Sequence, residues 1–483
     1  MEQNSQKYKE TITVIGGGIG GLFSAWNLLK EGYDVTVLER QNHLGGLSTS
    51  IPYDGYQMDI GPHFITTPKN SILSKELEEL MKNEIVVVDD IHKWYRVFFK
   101  NSVLYEYPPL YDLIFKNGVV SFLKSFFSYF FAKIKFSLIK NDNDTAKGYI
   151  VSNYGNYLYT NWFKPYLDFY YGKNEHSIKI VKGKFPQLKF KDIFNKIKKS
   201  NEKKDKIIPQ NNSLSVNQWY FKNGMGSLIK KLSKNIEDLG GKIILSADVK
   251  YIEHESSKKE ILIEHNCNEQ KLTSDIVLYT TPFSITKNWF SNYLDYVESP
   301  KQTSNGILIY LFINHPKIVD WWLIQNYENN FSFFRITHQN YLSDHISPTG
   351  KSLLCVEINT NDNLELWNLD DEKIFEKIKY ELKKMKLFNI KLIENFKIFK
   401  FKNLYSSSNP KADYISKQIT EITNSLKNEF IVRVEIDTGN LVTKRVKESG
   451  KTESKSVSYG GTYMTLKQSR DIVRKINEEK NIF

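Results

Sequence analysis

The chain has 483 residues, of which 40% are apolar and 25% are charged, so it is long enough for two or three globular domains and is not disordered. Its net charge of +12 comes from lysine, because only 7 of the 67 basic residues are arginine, and we therefore expect no nucleic-acid partner. Two cysteines and nine scattered histidines without ligand spacing exclude a disulfide framework and predict no metal site.

The first predicted elements are a strand, a glycine-rich turn, a helix and a second strand. The β-branched run Thr11–Ile15 leads into the spacing G-x-G-x-x-G. In this spacing Gly16 makes the sharp turn, Gly18 lets a pyrophosphate approach the backbone, and Gly21 lets the helix pack on the strand. The second strand ends at Glu39, 18 residues beyond Gly21, where an acid accepts hydrogen bonds from a ribose diol. The pattern predicts a dinucleotide site at the helix N-terminus, formed by Gly16, Gly18, Ile19, Gly20, Gly21, Glu39 and Arg40.

A second glycine pair follows the acid closely, in the sequence Leu44-Gly45-Gly46-Leu47-Ser48. A pair this close to the first turn predicts a loop pressed against the rest of the same extended cofactor. We therefore expect FAD rather than NAD, with Gly45, Gly46, Leu47 and Ser48 among its contacts.

The middle of the chain is predicted to be mostly helical and aromatic, from Ser71 to about Gly172. Within it, apolar residues recur every four positions, with serines opposite and lysines nearby, at Phe122, Phe126, Phe130 and Ile134. Either this face is buried in its own domain or the helix lies on a membrane surface. No uncharged apolar run reaches the ~18 residues needed to span a bilayer, and the polar first ten residues do not read as a signal peptide. We expect a cytoplasmic protein, with peripheral membrane contact as the alternative.

Beyond a lysine-rich loop at 182–206, regular patterns return. A helix presents Leu228, Leu232, Ile236 and Leu239 on one face, and another is expected from about Asp370 to Leu387. A charged loop, Lys444–Lys455, precedes a final helix, Thr465–Asn477. The predicted strands are Lys242–Leu245, Lys259–Glu264, Ile276–Tyr279, Asn305–Ile313 and Ser352–Asn359.

With these motifs the sequence resembles the FAD-dependent amine oxidase, protoporphyrinogen oxidase and phytoene desaturase superfamily, and most of all its UDP-galactopyranose mutase-like branch. Asp59-Ile60-Gly61-Pro62-His63-Phe64 is similar to the family segment under the flavin, and Asn223–Leu228 is similar to its "GGMGSL" helix start. The resemblance implies further cofactor contacts at Gly61, Pro62, His63, Phe64, Val249, Thr281, Gly460, Gly461 and Thr462.

The resemblance implies an α/β fold with a discontinuous Rossmann-like FAD-binding domain of the GR2 type and an inserted α+β substrate domain. We assign residues 1–75, 216–285 and 425–483 to the first domain, and 76–215 and 286–424 to the second. Two departures stand out. Leu47 replaces an arginine found in many relatives, and the C-terminal flavin loop is aligned with Gly460-Gly461-Thr462 rather than with Asp437-Thr438-Gly439.

Two residues are candidates for the chemistry. His63 matches a histidine beside the flavin in the mutase-like branch, and an imidazole titrates near neutrality. Arg335 stands among aromatic residues and suits an anionic substrate, although a structural salt bridge is equally expected.

Three functions remain open from the sequence. The first is an FAD-dependent oxidoreductase that transfers a hydride from a small or amphipathic substrate to flavin N5, in sugar-nucleotide or surface-polysaccharide metabolism or elsewhere. The second is a redox-neutral sugar-nucleotide mutase that uses reduced FAD. The third is a flavin-holding protein without turnover. The sequence does not decide the substrate, the electron acceptor or the oligomeric state.

Overall fold

The computed structural model describes residues 9–88, 95–99, 101–104, 119–138, 145–171, 176–178, 181, 185, 216–294, 303–328, 330–360, 364–406, 410–432, 440–448, 451–459 and 461–480. The strands are β1 Thr11–Ile15, β2 Asp34–Leu38, β3 Ser50–Tyr53, β4 Tyr56–Asp59, β5 Ile65–Pro68, β6 Ile85–Val87, β7 Tyr95–Phe99, β8 Ser102–Leu104, β9 Val216–Phe221, β10 Lys242–Ile244, β11 Ala247–Ile252, β12 Lys259–His265, β13 Asn268–Ser274, β14 Ile276–Tyr279, β15 Thr303–Ile313, β16 Leu323–Asn326, β17 Arg335–His338, β18 Ser352–Asn359, β19 Ile393–Ser406, β20 Glu429–Ile431, β21 Asn440–Glu448 and β22 Lys451–Tyr459. The α-helices are α1 Ile19–Lys30, α2 Ile72–Met81, α3 Val119–Leu138, α4 Ala146–Tyr154, α5 Asn156–Leu158, α6 Lys164–Tyr171, α7 Gly226–Asp238, α8 Phe283–Thr286, α9 Leu364–Asn368, α10 Asp371–Met385, α11 Pro410–Ser425 and α12 Gly461–Lys480.

A five-stranded parallel sheet carries the N-terminal motif, in the order β10-β2-β1-β14-β20. Its central strands, TITVI and IVLY, are β-branched and almost fully buried, because helices cover both faces of such a sheet. Helix α1 packs beside β1, and its residues from Ile19 to Leu29 are all buried. The predicted α/β fold with a Rossmann-like domain is confirmed. The strands of this sheet come from separate stretches of chain, and the exact domain boundaries stay a prediction.

The second large sheet has seven strands, in the order β19-β15-β18-β17-β16-β7-β8. One of its faces packs against α10 through Ile374, Ile378 and Leu382. The opposite face packs against β4, where Tyr310 and Met58 share a core cluster. Strand β4 leads directly into the Gly61–Phe64 segment, so this sheet forms one wall beside that segment.

The described part of the stretch from Ser71 to about Gly172 is mostly helical, as predicted, with the short strands β6, β7 and β8 within it. One sequence-based prediction needs correction. Residues 444–448 and 451–455 belong to the strands β21 and β22 and not to a loop. A two-stranded ribbon can carry charge on both faces, so the lysine density that suggested a loop does not exclude strands. The predicted loop at 182–206 lies, apart from Phe185, outside the described residues.

Helix α3 packs on the helical segment 146–158 through a close backbone contact at Gly155. Gly155 has φ +83°, and a Cβ there would lie 2.6 Å from the Tyr129 backbone nitrogen. We expect Gly155→Ala to lower the free energy of unfolding by about 2 to 3 kcal/mol, because backbone strain and steric overlap add. Gly350→Ala is the control, since Gly350 also has a positive φ, +81°, but faces open space. Urea unfolding of both variants measures the difference, and equal losses would show that the contact with α3 contributes nothing.

Candidate dinucleotide and substrate site

The glycine-rich turn has the close approaches that its sequence predicts. The Gly16 N–H donates to the Leu38 carbonyl at 2.8 Å, and Gly16 has φ +113°. A Cβ on Gly21 would overlap the Gly16 carbonyl oxygen, so only glycine lets α1 start this close to β1. A Cβ on Gly18, by contrast, would meet no protein atom within 4 Å. Gly18 therefore borders open space at the start of the helix.

The N-terminus of α1 has the features of an anion site. Gly18 is its N-cap, no side chain caps it, and its first turn carries no acidic residue. The second glycine pair lies against this turn. Gly45 forms a parallel β-bridge with Gly18, and the Gly45 N–H donates to the Gly17 carbonyl at 2.8 Å. Free backbone donors, the helix dipole and open space together suit a pyrophosphate. Leu47 is 36% exposed beside this loop, and Ser48 is buried.

Glu39 is fixed at the end of β2 by backbone donors. Its Oε2 accepts from the Gly17 N–H at 2.7 Å, and its Oε1 accepts from the Gln41 N–H at 2.8 Å. Its carbonyl accepts from the Ala247 N–H at 2.9 Å, which brings the start of β11 to the site. Val249, further along β11, has its carbonyl bonded to the Trp289 indole N–H at 3.1 Å. Arg40 is exposed next to Glu39.

The C-terminal helix contributes two residues that sequence reasoning missed. The Ser469 hydroxyl donates to the Gly20 carbonyl at 3.1 Å, and a Cβ on Gly20 would lie 2.8 Å from Thr465 Cγ2. Helix α12 begins at Gly461, so Gly461 and the partly buried Thr462 start the helix that packs on α1. The sequence signal was weak: two small polar residues spaced four apart on one helix face. Gly460 lies outside the described residues.

Thr281 also lies at the turn, since its Cγ2 would be 3.1 Å from a Cβ on Gly16. The neighbouring Thr280 hydroxyl donates to the Gly16 carbonyl at 3.0 Å. The two threonines therefore close the strand side of the turn.

The segment from Gly61 to Phe64 is held by a backbone network centred on Asp59. The Asp59 carbonyl accepts from the Tyr310 hydroxyl at 2.8 Å and from the Gln339 side-chain amide at 2.9 Å. Gly61, with φ +83°, turns the chain directly after this anchor. Pro62 and His63 follow, both partly buried, and the Phe64 ring meets Trp322 edge to face. His63 thus projects from a short segment whose start is fixed.

The Asp59 carboxyl group is fully buried and joins this segment to the start of α7. It accepts from the Tyr220 hydroxyl at 2.5 Å, from the Met225 N–H at 3.1 Å, and from the Ser50 hydroxyl. Burial raises the pKa of Asp59 to about 6, although the hydrogen bonds from Ser50, Tyr220 and Met225 oppose this shift. Sequence reasoning placed Asp59 in the flavin segment but did not identify this role.

The raised pKa of Asp59 predicts a pH dependence of stability. The folded protein binds more protons at Asp59 than the unfolded chain does, so unfolding free energy falls as pH rises from about 4 to about 6. The full effect is about 3 kcal/mol, at 1.36 kcal/mol for each pKa unit. Asp59→Asn should remove this slope. Urea unfolding of both proteins at pH 4.5 and pH 7 tests the expectation, and an unchanged slope in Asp59→Asn would contradict it.

Arg335 is not an isolated cation. Its Nε and Nη2 each donate to Glu357 at 2.6 Å, and Glu357 also accepts from the Tyr405 hydroxyl at 3.2 Å. A Cβ on Gly61 would lie 3.8 Å from Arg335 Nη2, so the pair borders the flavin-segment turn. The structure therefore brings Arg335 to the predicted site, but it shows the salt bridge that was the alternative to a substrate contact. A balanced guanidinium attracts an anion less strongly than a lone one.

The seven-stranded sheet continues this polar region. Strand pairing aligns Gln325 with Arg335 and Arg335 with Glu357. Side chains that pair across neighbouring strands share one face of the sheet, so an amide, a guanidinium and a carboxylate stand in a row beside the Gly61 turn. This row of largely buried polar side chains is a candidate for orienting the polar part of a substrate.

Comparison with known proteins agrees with this geometry. A family model described as flavin-containing amine oxidoreductase matches residues 19–423. Coproporphyrinogen III oxidase from Staphylococcus aureus is 26% identical over 321 residues, which cover 63% of this chain and 67% of that protein. A crystal structure of reduced UDP-galactopyranose mutase has a TM-score of 0.74 and 13% identity, covering 97% of this chain and 96% of the other. A putrescine oxidase double mutant has a TM-score of 0.59 and 12% identity, covering 96% and 99%. The two structures show the shared fold.

Proposed function

Because the chain belongs to the family of flavin-containing amine oxidoreductases, we propose that it is an FAD-dependent oxidoreductase that removes a hydride from a small or amphipathic substrate. The observation that carries the proposal is the start of α1, which has no side-chain cap and borders open space at Gly18. The Gly45-Gly46 loop lies against the start of α1 and makes the candidate phosphate site longer than one phosphate group needs.

The residues around this candidate phosphate site fit a flavin dinucleotide. The α1 N-terminus and the Gly45-Gly46 loop would hold the pyrophosphate, and the Glu39 carboxylate would accept from the ribose hydroxyls while keeping its bond from the Gly17 N–H. Val249 would lie towards the adenine, and Thr281 would border the flavin end. When bound, FAD supplies the two-electron acceptor that takes the hydride at N5.

The remaining side chains orient the substrate and control protons. We assign to His63 the role of holding or moving a proton beside the substrate, and the anchoring of its segment at Asp59 supports this role. The row of Gln325, Arg335 and Glu357 contains hydrogen-bond donors and an acceptor. The Arg335–Glu357 ion pair within it carries no net charge. This balance favours a neutral or mixed-charge substrate group over a diphosphate, and thus an oxidoreductase over a sugar-nucleotide mutase.

The reaction is tested by following the flavin absorbance of the purified protein under anaerobic conditions. Two compounds are the first to try: coproporphyrinogen III, named in the Staphylococcus aureus relative, and UDP-galactopyranose, named in the mutase. Bleaching of the oxidised flavin by the first, or by another reduced substrate, supports the proposal. Conversion of UDP-galactopyranose only after dithionite reduction would replace it with a mutase. No response to a broad panel would favour a flavin-holding protein.

His63→Ala is expected to retain its flavin but to bleach about 10²- to 10⁴-fold more slowly, the range for loss of one positioned acid or base. Its pH–rate profile should also lose the inflection that a titrating imidazole contributes. His345→Ala is the control, because it removes an exposed imidazole. A His63→Ala protein with an unchanged rate and pH profile would remove His63 from the chemistry.

A further inference from the structure

Helix α3 exposes seven of its large apolar side chains. The exposed set, each member between 43% and 74% exposed, is Val119, Val120, Leu123, Phe127, Phe130, Phe131 and Ile134. Of the two alternatives that the sequence left open for this face, burial within its own domain does not hold for Leu123, Phe127, Phe130, Phe131 and Ile134. Soluble proteins rarely present a continuous apolar surface of this kind unless it binds something.

The side of α3 that faces the helical segment 146–158 includes several small residues beside the partly buried Phe122. Ser125 and Ala132 are buried, and the Ser128 hydroxyl accepts from the Tyr157 N–H at 2.8 Å. The Gly155 backbone lies against Ser128 and Tyr129, which leaves no room for larger side chains there. A helix that packs on its own protein by one face and leaves a wide apolar face outward has the amphipathic arrangement of helices that lie in a membrane interface.

The charges on α3 fit an anionic surface. At about 100° per residue, the exposed apolar residues span an arc of about 120°. Exposed lysines lie at both borders of this arc, Lys124 and Lys135 on one side and Lys133 on the other. The helix contains no acidic residue. Lysines in these positions can extend their ammonium groups to phosphates while their stems stay with the apolar face.

A groove beside the helix adds polar groups on one border. It runs between α3 and the segment 156–161 and is lined by Lys124, Phe127, Asn156, Thr160 and Asn161. An ammonium group, two amides and a hydroxyl next to an apolar face suit a lipid headgroup above its acyl chains. Within the described residues, none of the helices combines the length and the apolar composition that crossing a bilayer needs.

We propose that α3 lies in the interface of an anionic lipid bilayer, with its phenylalanines in the acyl boundary and its lysines at the headgroups. The lysines at both borders decide against a second copy of the chain, because two such faces would bring like charges together. The binding of such a helix combines buried apolar area with attraction to anionic lipid. The proposal is independent of the proposed enzymatic function.

The test is co-sedimentation of the full-length protein with vesicles of phosphatidylcholine, with and without phosphatidylglycerol, at low salt. We expect binding to the anionic vesicles. The triple variant Lys124→Glu, Lys133→Glu, Lys135→Glu should bind at least about 100-fold more weakly, since each lysine contributes roughly a fivefold factor. The matched control carries the same charge change on α7, at the exposed Lys230, Lys231 and Lys234, and should lose far less.

A second variant tests the apolar contact. Phe127→Ser, Phe130→Ser, Phe131→Ser should abolish vesicle binding while melting temperature and flavin content stay unchanged. Three results would overturn the proposal: no binding of the wild-type protein to either vesicle, a lowered melting temperature in the serine variant, or a wild-type dimer that this variant converts to monomers. The second would show that the face is covered by the protein itself, and the third that a second copy covers it.

Discussion

Gly18→Val is expected to give a folded but colourless protein. Gly18 has φ −73° and ψ 177°, an extended conformation that valine adopts readily, and its missing Cβ faces open space. Valine methyl groups would fill the place where the pyrophosphate meets the α1 N-terminus. We expect at least about a 100-fold loss of flavin affinity, equivalent to about 2.7 kcal/mol, with little change in melting temperature.

Gly21→Val provides the contrast for this experiment. A side chain at Gly21 would overlap the Gly16 carbonyl oxygen, so this variant should misfold. Flavin absorbance and thermal unfolding, measured on both variants, separate loss of binding from loss of fold. A yellow, stable Gly18→Val protein would show that the cofactor does not approach this turn.

Glu357→Gln is expected to destabilise the protein by about 3 to 5 kcal/mol, because it removes the carboxylate that pairs with the partly buried Arg335 charge. The side chains of Arg335 and Glu357 are only 15% and 1% exposed, so water cannot replace the lost carboxylate well. Glutamine keeps the size of glutamate and can still accept from Tyr405, so the variant isolates the charge. Urea unfolding at pH 7 measures the loss.

The double variant Arg335→Met, Glu357→Gln is the control, since it removes both charges. It should recover more than half of the lost stability, because no buried charge then remains uncompensated. If the single variant is as stable as the wild type, the ion pair is solvated and Arg335 is again available to an anionic substrate. If the double variant is no more stable than the single one, the loss comes from packing.

The sequence predicts the parts of the site that are local along the chain. Residues 11–39 form β1, α1 and β2 within one continuous stretch. The order of strand, glycines, helix and acid therefore determines how the glycine-rich turn and Glu39 lie relative to each other. The bond from the Gly17 N–H to Glu39 is a direct consequence of that order. Gly45-Gly46 follows so closely that its contact with Gly17 and Gly18 was also foreseeable.

The sequence does not predict contacts that depend on pairing between distant segments. Ser469 bonds to Gly20 across 449 positions, and Arg335 meets Glu357 only because β17 and β18 pair in one particular register. A shift of that register by one residue would send the two side chains to opposite faces. The position of Arg335 among aromatic residues therefore could not decide between substrate contact and salt bridge.

Helix α3 illustrates another limit. Its period of four was visible in the sequence, but periodicity defines a face and not the environment of that face. The exposed face of α3 in the structure is also rotated about the helix axis relative to the apolar face that the sequence predicts. Phe122 packs partly against the core cluster of the neighbouring helices, while Phe127 and Phe131 are among the most exposed phenylalanines.

The measurement that tests the central claim most directly is the identity and stoichiometry of the bound flavin. The protein would be purified without added cofactor, its visible spectrum recorded, and the flavin released by heat and separated by chromatography. The account predicts a yellow protein that releases one FAD per chain. A colourless protein that takes up no FAD on refolding, or one that releases FMN instead, would contradict it.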